Sequence, residues 1–267
     1  MPGQYLATIE SNEDLGAGVC RLTILAPEIA AAGRPGQFVM LRSGRGLDPL
    51  LSRPFSLHQT MADGRMQVLF KVLGEGTRRL AALAAGASVA IVGPLGRGFA
   101  LTPPPTGTRL GLIGGGIGVA PLLFLAREIQ RLLPDGTALD VLLGARSKAE
   151  LAPLLADFRA LGLEPAVATD DGSLGHHGLV PELIDQQWGQ EGSHCRVFCC
   201  GPWPMMAAVA SRCRERGWAC QVSLEAMMAC GFSACLGCAV AGSGKRERYF
   251  HVCKDGPVFQ AEDVNWG

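Results

Sequence analysis

The first hundred residues alternate apolar and polar positions in short runs. "QYLATIESN", "CRLTILAP", "GQFVMLRS", "RMQVLFKVL" and "ASVAIVGPLG" each follow the two-residue period of a half-buried strand. Gly and Pro separate them. Strands at this spacing predict a small antiparallel barrel. One segment, "GTRRLAALAAG", switches to a helical period, with Thr77 placed to cap it and Gly86 to close it. "LTPPPTGT" (Leu101 to Thr108) then reads as a linker, because three consecutive prolines join neither a sheet ladder nor a helix interior.

Beyond the linker the rhythm changes. "RLGLIGGGIGVAPLLFLAREIQRLLPDG" reads as strand, Gly-rich turn and helix; "ALDVLLGARS" as a strand; "KAELAPLLADFRALG" as a helix. "EPAVATDDGS", "CRVFCCGP" and "PMMAAVASRCRERG" continue the alternation. Strand–helix repetition predicts a doubly wound parallel sheet. From about Glu225 the chain follows neither pattern. The expected division is therefore 1–101, 102–224 and 225–267.

Charge and composition narrow the function classes. Lys+Arg and Asp+Glu both number 24 in 267 residues, so nothing favours nucleic acid or an anionic membrane surface. The N-terminus lacks a basic segment followed by an apolar run, and the longest apolar stretch, Leu110 to Ala126, is broken by glycines and a proline. No signal peptide and no membrane span are expected, and the default location is cytoplasmic. In a reducing compartment the 10 cysteines are not expected to form disulfides. Nine of them lie from Cys195 onward, which favours a metal site in the tail.

That tail holds the sharpest motif. Cys230, Cys235, Cys238 and Cys253 follow the spacing C-x4-C-x2-C-x14-C, the plant-type run for a [2Fe–2S] cluster. The small residues Gly231, Ser233, Ala234 and Gly237 let backbone amides turn toward the sulfurs. A four-cysteine zinc site is the rival, but it ordinarily pairs one C-x2-C with another, and only one is present. Cys195, Cys199, Cys213 and Cys220 read as small buried apolar residues, and His176-His177 as a solvated pair.

Two further motifs suit phosphates. "IGGGIGVAPLL" (Ile113 to Leu123) follows an apolar strand and opens a helix; it reads equally as a phosphate cradle and as a tight turn. "RPFS" (Arg53 to Ser56) offers a cation, a flat ring and a hydroxyl, although alone it reads as an Arg-Pro turn with a core Phe. "GEGTRRL" (Gly74 to Leu80) adds glycines before a helix start. A nicotinamide exchanges two electrons as hydride and an iron–sulfur cluster exchanges one at a time; a flavin does both, so the three motifs explain one another.

In the order "RPFS", "GEGT", "GPLGRGF", "IGGGIGVAPL", "CGP", the first 220 residues resemble the ferredoxin–NADP reductase superfamily. The tail "SLEAMMACGFSACLGCAV…YFHVCKDGPVFQAEDVNW" and "TDDGSLGHHGLV" resemble the electron-transfer subunit of NAD-dependent, type B dihydroorotate dehydrogenase. The resemblance implies an antiparallel six-stranded FAD-binding barrel (1–101), an NAD-binding α/β domain (102–224) and a [2Fe–2S] module (225–267). It puts Arg53 on the FAD pyrophosphate, Pro54, Phe55 and Ser56 by the flavin ring, with Phe55 where many superfamily members carry a tyrosine. Phe70, Lys71 and Val72 would run along the flavin or its ribityl chain, and Gly76 and Thr77 would hold FAD phosphates. Gly114, Gly115, Gly116 and Gly118 would cradle the NAD pyrophosphate, and Cys200, Gly201 and Pro202 would approach the nicotinamide.

The four tail cysteines would hold the cluster. Arg146 is of a kind to meet a 2′-phosphate, while Asp170 and Asp171 are acidic candidates nearby, so NAD over NADP rests on the resemblance alone. The implied partner is an FMN-containing dihydroorotate dehydrogenase catalytic subunit, two copies of each. An NAD(P)H-oxidising reductase feeding an oxygenase, hydrogenase or transhydrogenase partner stands beside this reading. So does a non-enzymatic alternative, a zinc-bearing interaction module.

Overall fold

The alternating segments of the first hundred residues close on themselves. In the computed structural model, which describes residues 2–42, 44, 48, 50–133, 137–189, 194–244 and 248–267, six strands form the barrel. They are β1 (Gly3–Gly16), β2 (Val19–Leu25), β3 (Phe38–Arg42), β4 (Arg53–Thr60), β5 (Arg65–Lys71) and β6 (Ser88–Leu95), with α1 (Pro27–Ala32) after β2 and α2 (Glu75–Ala81) after β5. The order β1-β2-β5-β4-β3-β6 is antiparallel throughout and leaves no open edge. Ile9, Leu22, Ile24, Val39, Leu57, Val68 and Ile91 fill the interior, as the two-residue period requires.

Helix α2 differs from its expected ends. It starts after Gly74, and Thr77 stands in its first turn rather than at its cap. The Thr77 hydroxyl reaches back, accepting from the N–H groups of Leu73 (2.9 Å) and Gly74 (3.0 Å) and donating to the Gly74 carbonyl (2.9 Å). A threonine at this position satisfies amides ahead of the helix, half of a capping box. The helix closes at Ala82; Gly86, at φ +85°, turns the chain toward β6 instead.

The second domain carries β7 (Arg109–Gly115), α3 (Ala120–Leu132), β8 (Leu139–Ala145), α4 (Lys148–Ala160), β9 (Ala166–Thr169), β10 (His176–His177), α5 (Val180–Trp188), β11 (Cys195–Cys200), α6 (Trp203–Glu215) and β12 (Ala219–Ser223). The tail adds β13 (Ala239–Ala241), β14 (Tyr249–His251), α7 (Val252–Asp255) and β15 (Val258–Gln260). The large sheet runs β10-β9-β8-β7-β11-β12-β15. All its neighbours are parallel except β15, which pairs antiparallel with β12. The tail thus supplies an edge strand of the nucleotide-type sheet instead of standing apart. Phe259 on β15 packs against Phe250 on β14, with ring centroids 5.3 Å apart, and both are buried. Each such burial contributes about 2 kcal/mol, which anchors a segment too short for a core of its own.

Helix α4 ties sheet to barrel at two points. Lys71 on β5 meets Glu150 at 2.7 Å. Seven residues on, two turns along the same face, Asp157 meets Arg21 on β2 (3.3 Å) and His58 on β4 (3.2 Å). The other His58 nitrogen lies 2.8 Å from the Ala120 carbonyl at the start of α3. Burial alone would raise the Asp157 carboxyl, but the His58 hydrogen bond and the charges of His58 and Arg21 hold it below its ordinary value. A carboxyl held low contributes stability above the ordinary carboxylate range and loses it as pH falls through the lowered value. Asp157→Ala is expected to cost roughly 2 kcal/mol near neutral pH, read as a lower denaturation midpoint. The difference from wild type should shrink below about pH 3.8; a difference independent of pH would contradict the ion-pair account.

Candidate functional site

A slot of about 260 Å³ opens between the barrel and the start of α3. Arg53, Pro54, Phe55 and Ser56 from β4, Phe70 and Lys71 from β5, and Thr77 from α2 line it, facing Ile117, Ala120 and Pro121. Phe55 and Phe70 meet at 5.3 Å between centroids, tilted by 55°. Among the described residues Arg53 has no carboxylate partner. A Cβ on Gly76 would lie 2.7 Å from the Arg53 Nε, so the glycine makes room for the guanidinium. A half-buried cation without a counter-charge, beside flat rings, suits an anionic ligand with a ring system. Val72 and Gly76 do not line the slot. The Val72 N–H donates to the Gly18 carbonyl (2.8 Å), and its side chain packs on the barrel core.

A second cavity, about 510 Å³ and of cofactor size, lies beyond the carboxyl ends of β7 and β11, where the strand order reverses. Gly115, Gly116 and Gly118 line it with Gly201, Pro202 and Met205. The glycines have different reasons to be there. A Cβ on Gly114 would press Leu143, on Gly115 Met205, and on Gly118 the backbone of Gly201 at 2.5 Å. Gly116 alone has φ +53° with open space around it. Close packing explains three of the glycines, and Gly116 presents free backbone to the cavity. Gly114 does not line it.

Cys200 lines neither cavity. Burial, then the nearby Glu225, push its thiol far above the ordinary range, and it lies beside Ser223 inside the sheet. Its neighbours Gly201 and Pro202 reach the cavity surface. At this cavity the segment therefore presents backbone and proline, not the thiol.

The two cavities meet at three shared residues, Lys71, Ile117 and Glu225. Glu225 faces the open space of the junction while protein surrounds its other sides, and burial raises its carboxyl. It lies two residues past β12, beyond the carboxyl end of a parallel strand, which is where such sheets put ligand-facing groups. That rule could have singled it out in the sequence. Lys71 leans the other way, onto Glu150, which the Arg146 guanidinium also grips through both carboxylate oxygens. The Arg146 and Lys71 hydrogen bonds bring the Glu150 carboxyl down to about 2.

The four tail cysteines stand as two pairs. Cys238 and Cys253 have sulfurs 3.3 Å apart. Cys230 receives the N–H groups of Ala234 (3.3 Å) and Cys235 (3.4 Å), and Cys253 that of Ser233 (3.2 Å). Ser233 and Leu236 adopt left-handed backbone (φ +67° and +58°), as does Gly231 (φ +81°). Non-glycine residues held there mark a constrained functional loop. Burial would raise the Cys230 thiol, but the amides of Cys235, Phe232 and Ala234 bring it to about 7. Cys253, deeper and beside Cys238, is pushed up to about 11. Among the described residues no group of three or more His, Cys, Asp or Glu side chains closes around one point. Two pairs of thiols suit a centre of two irons, each taking two thiolates. Cys195, Cys199 and Cys220 are buried in the sheet and Cys213 on the inner face of α6, and His176 pairs with Glu182 at 2.6 Å.

A closed flavin-type barrel, a doubly wound sheet meeting it at a double cavity, and a cysteine tail define a ferredoxin-reductase-like oxidoreductase. Comparisons with known proteins agree. The iron–sulfur cluster binding domain of dihydroorotate dehydrogenase B matches residues 225–265. The dihydroorotate dehydrogenase B (NAD(+)) electron transfer subunit of Desulforamulus reducens is 41% identical over 248 residues, 90% of each chain. That of Geobacillus thermodenitrificans is 38% identical over 99% of each chain. A solved structure of NADH-dependent reduced ferredoxin–NADP oxidoreductase superposes with a TM-score of 0.85 at 29% identity, covering 100% of this chain and 92% of the other. The cytochrome b5 reductase domain of Ulva prolifera nitrate reductase, at 15% identity and TM-score 0.65 over 81% of this chain and 94% of the other, shares the fold.

The chain belongs to the family of electron transfer subunits of NAD(+)-dependent dihydroorotate dehydrogenase B. No helix among the described residues is long and apolar enough to cross a membrane.

Gly118→Val tests the backbone approach at the cavity. The new side chain would drive the β7 and β11 turns apart, and nucleotide affinity is expected to fall at least tenfold in calorimetry, with flavin absorbance retained. Unchanged affinity would contradict the role of this turn.

Proposed function

We propose that this chain receives electrons singly from a partner through its [2Fe–2S] cluster, pairs them on FAD and delivers hydride to NAD⁺. The cofactor set is FAD, a [2Fe–2S] cluster and NAD; hydride transfer is the chemistry that FAD and NAD supply when bound. The observation that carries the reading is the shared lining of the two cavities by Lys71, Ile117 and Glu225. Two ligands lying in contact there can exchange hydride, and the cluster stands close by in the chain. Ala226 and Met228 line the slot, and two peptide steps later, within ~7.6 Å between Cα atoms, comes Cys230.

In this reading Arg53 pairs with the FAD pyrophosphate, and Gly76 keeps space for its guanidinium. Thr77 fixes the chain at the start of α2. Pro54, Phe55, Ser56, Phe70 and Lys71 wall the flavin ring. Val72 supports β5 from the barrel side, and Gly114 lets β7 pack closely behind the turn. Gly115, Gly116 and Gly118 hold the NAD pyrophosphate with backbone groups, and Gly201 and Pro202 position the nicotinamide. Cys230, Cys235, Cys238 and Cys253 would hold the cluster.

The electron source is the catalytic subunit, which we take to be FMN-containing and present with this chain in two copies each, in the cytoplasm. The net reaction is then dihydroorotate + NAD⁺ → orotate + NADH + H⁺. The 29% identical structural relative belongs to a different electron-transfer system. The 41% and 38% identical chains support the dihydroorotate partner.

The partner face is the cluster loop, where Met227, Phe232 and Leu236 are 92%, 58% and 55% exposed. An apolar patch of this kind on the rim of a redox centre marks an interaction site. Phe232→Asp is expected to weaken association at least tenfold in sedimentation analysis; unaltered assembly would contradict this face. With the partner the complex should oxidise dihydroorotate, and the chain alone should not. Dihydroorotate oxidation by the chain alone would overturn the division of labour.

A further inference from the structure

We infer that Glu150 is a specificity-determining residue that turns the second cavity against 2′-phosphorylated nicotinamide nucleotides. The inference rests on reading that cavity as the nucleotide site. The charged side chains lining it are Lys71, Arg146, Glu150, Asp170 and Glu225: two cations against three carboxylates. Both cations pair with the same carboxylate, Lys71 from inside the cavity and Arg146, 72% exposed, from its rim. The Glu150 Oε1 accepts from the Lys71 ammonium at 2.7 Å and from one Arg146 nitrogen, while Oε2 accepts from the Arg146 Nε at 3.2 Å.

The carboxylate is well placed to keep them. It is only 20% exposed and stands in the first turn of α4. The start of that helix is pinned: the Lys148 N–H donates to the Ser173 hydroxyl (2.7 Å), which donates to Asp171 (2.5 Å). Asp170 adds a second negative charge within electrostatic reach of Arg146.

A 2′-phosphate brings a further charge of about −1.5 to −2. Its usual recognition is a cation free to make charge-assisted hydrogen bonds, most often the fork of an arginine. Arg146 is such a fork at the right kind of position, after a parallel strand, but Glu150 already occupies it. A 2′-phosphate entering the cavity would have to compete with Glu150 for both cations and lie beside Asp170. A nucleotide with a free 2′-hydroxyl meets no such competition. The Arg146 that looks like an NADP marker in the sequence is thereby neutralised by a residue one helical turn away.

The test uses the full chain with its flavin and cluster and two redox-inert probes that differ only at the 2′ position, ADP-ribose and 2′-phospho-ADP-ribose. Calorimetry gives the ratio of their affinities. Wild type should favour ADP-ribose. Glu150→Gln, which removes the charge at constant size, should move the ratio at least tenfold toward the phosphorylated probe. Adding Arg146→Gln should return it, and Glu150→Asp should keep the wild-type preference. A ratio that stays within twofold of wild type in Glu150→Gln overturns the inference. The two readings fail separately. If Gly118→Val binds ADP-ribose as wild type does, the cavity is not the nucleotide site and both fall. If Gly118→Val loses it while the Glu150→Gln ratio does not move, only the selectivity role falls.

Discussion

Two carboxylates on one face of helix α4, together with Phe124 of α3 packed into the barrel core, set the relation between barrel and sheet. Glu150 reaches Lys71, and Asp157 reaches Arg21 and His58, so a single helix is held to the barrel at points two turns apart. Two separated anchors fix an angle as well as a distance, which one would not. The double cavity lies along that junction: one cavity is walled by barrel strands and the other by the turns after β7 and β11. Groups that must exchange hydride tolerate little misplacement. The charged face of α4 therefore does more for function than its modest burial suggests, and Glu150 serves both as anchor and as part of the cavity wall.

The tail solves a different problem. About forty residues cannot bury enough surface to stand alone. The chain borrows a core instead: β15 extends the large sheet, Phe250 and Phe259 pack into it, and a Cβ on Gly231 would strike Met40 of the barrel. With the loop held on both sides, its backbone can keep Ser233 and Leu236 in left-handed conformations that aim amides at the cysteine sulfurs. The apolar side chains left outside this packing, Phe232 and Leu236, are those that a partner can cover.

Much of this was legible in the sequence. The two-residue period gave the barrel strands, the strand–helix alternation gave the sheet, and cysteine spacing gave the cluster loop. What was not legible depends on long-range geometry. The role of β15 is invisible in the three residues Val258 to Gln260, because an edge strand is defined by its neighbour. Glu150 looks like an ordinary first-turn helix acid, and only the barrel brings Lys71 to it. Local rules also misled at Thr77, which suits a cap by type but reaches back from inside the helix. Cys200 sits in a motif beside the cavity, yet its thiol turns into the core. The glycines of Ile113 to Leu123 divided between packing and an open backbone, a division that spacing alone cannot make.

In the proposed electron path, one chain joins a one-electron centre to a two-electron carrier through a flavin lodged where the two cavities meet. Anaerobic titration of the purified chain with NADH, followed by electron paramagnetic resonance, tests it directly. NADH is expected to reduce the cluster when FAD is bound, giving the paramagnetic signal of a reduced [2Fe–2S] centre. The signal should vanish when FAD is removed and return when FAD is restored. A cluster reduced by dithionite but untouched by NADH in the FAD-loaded chain would contradict that path.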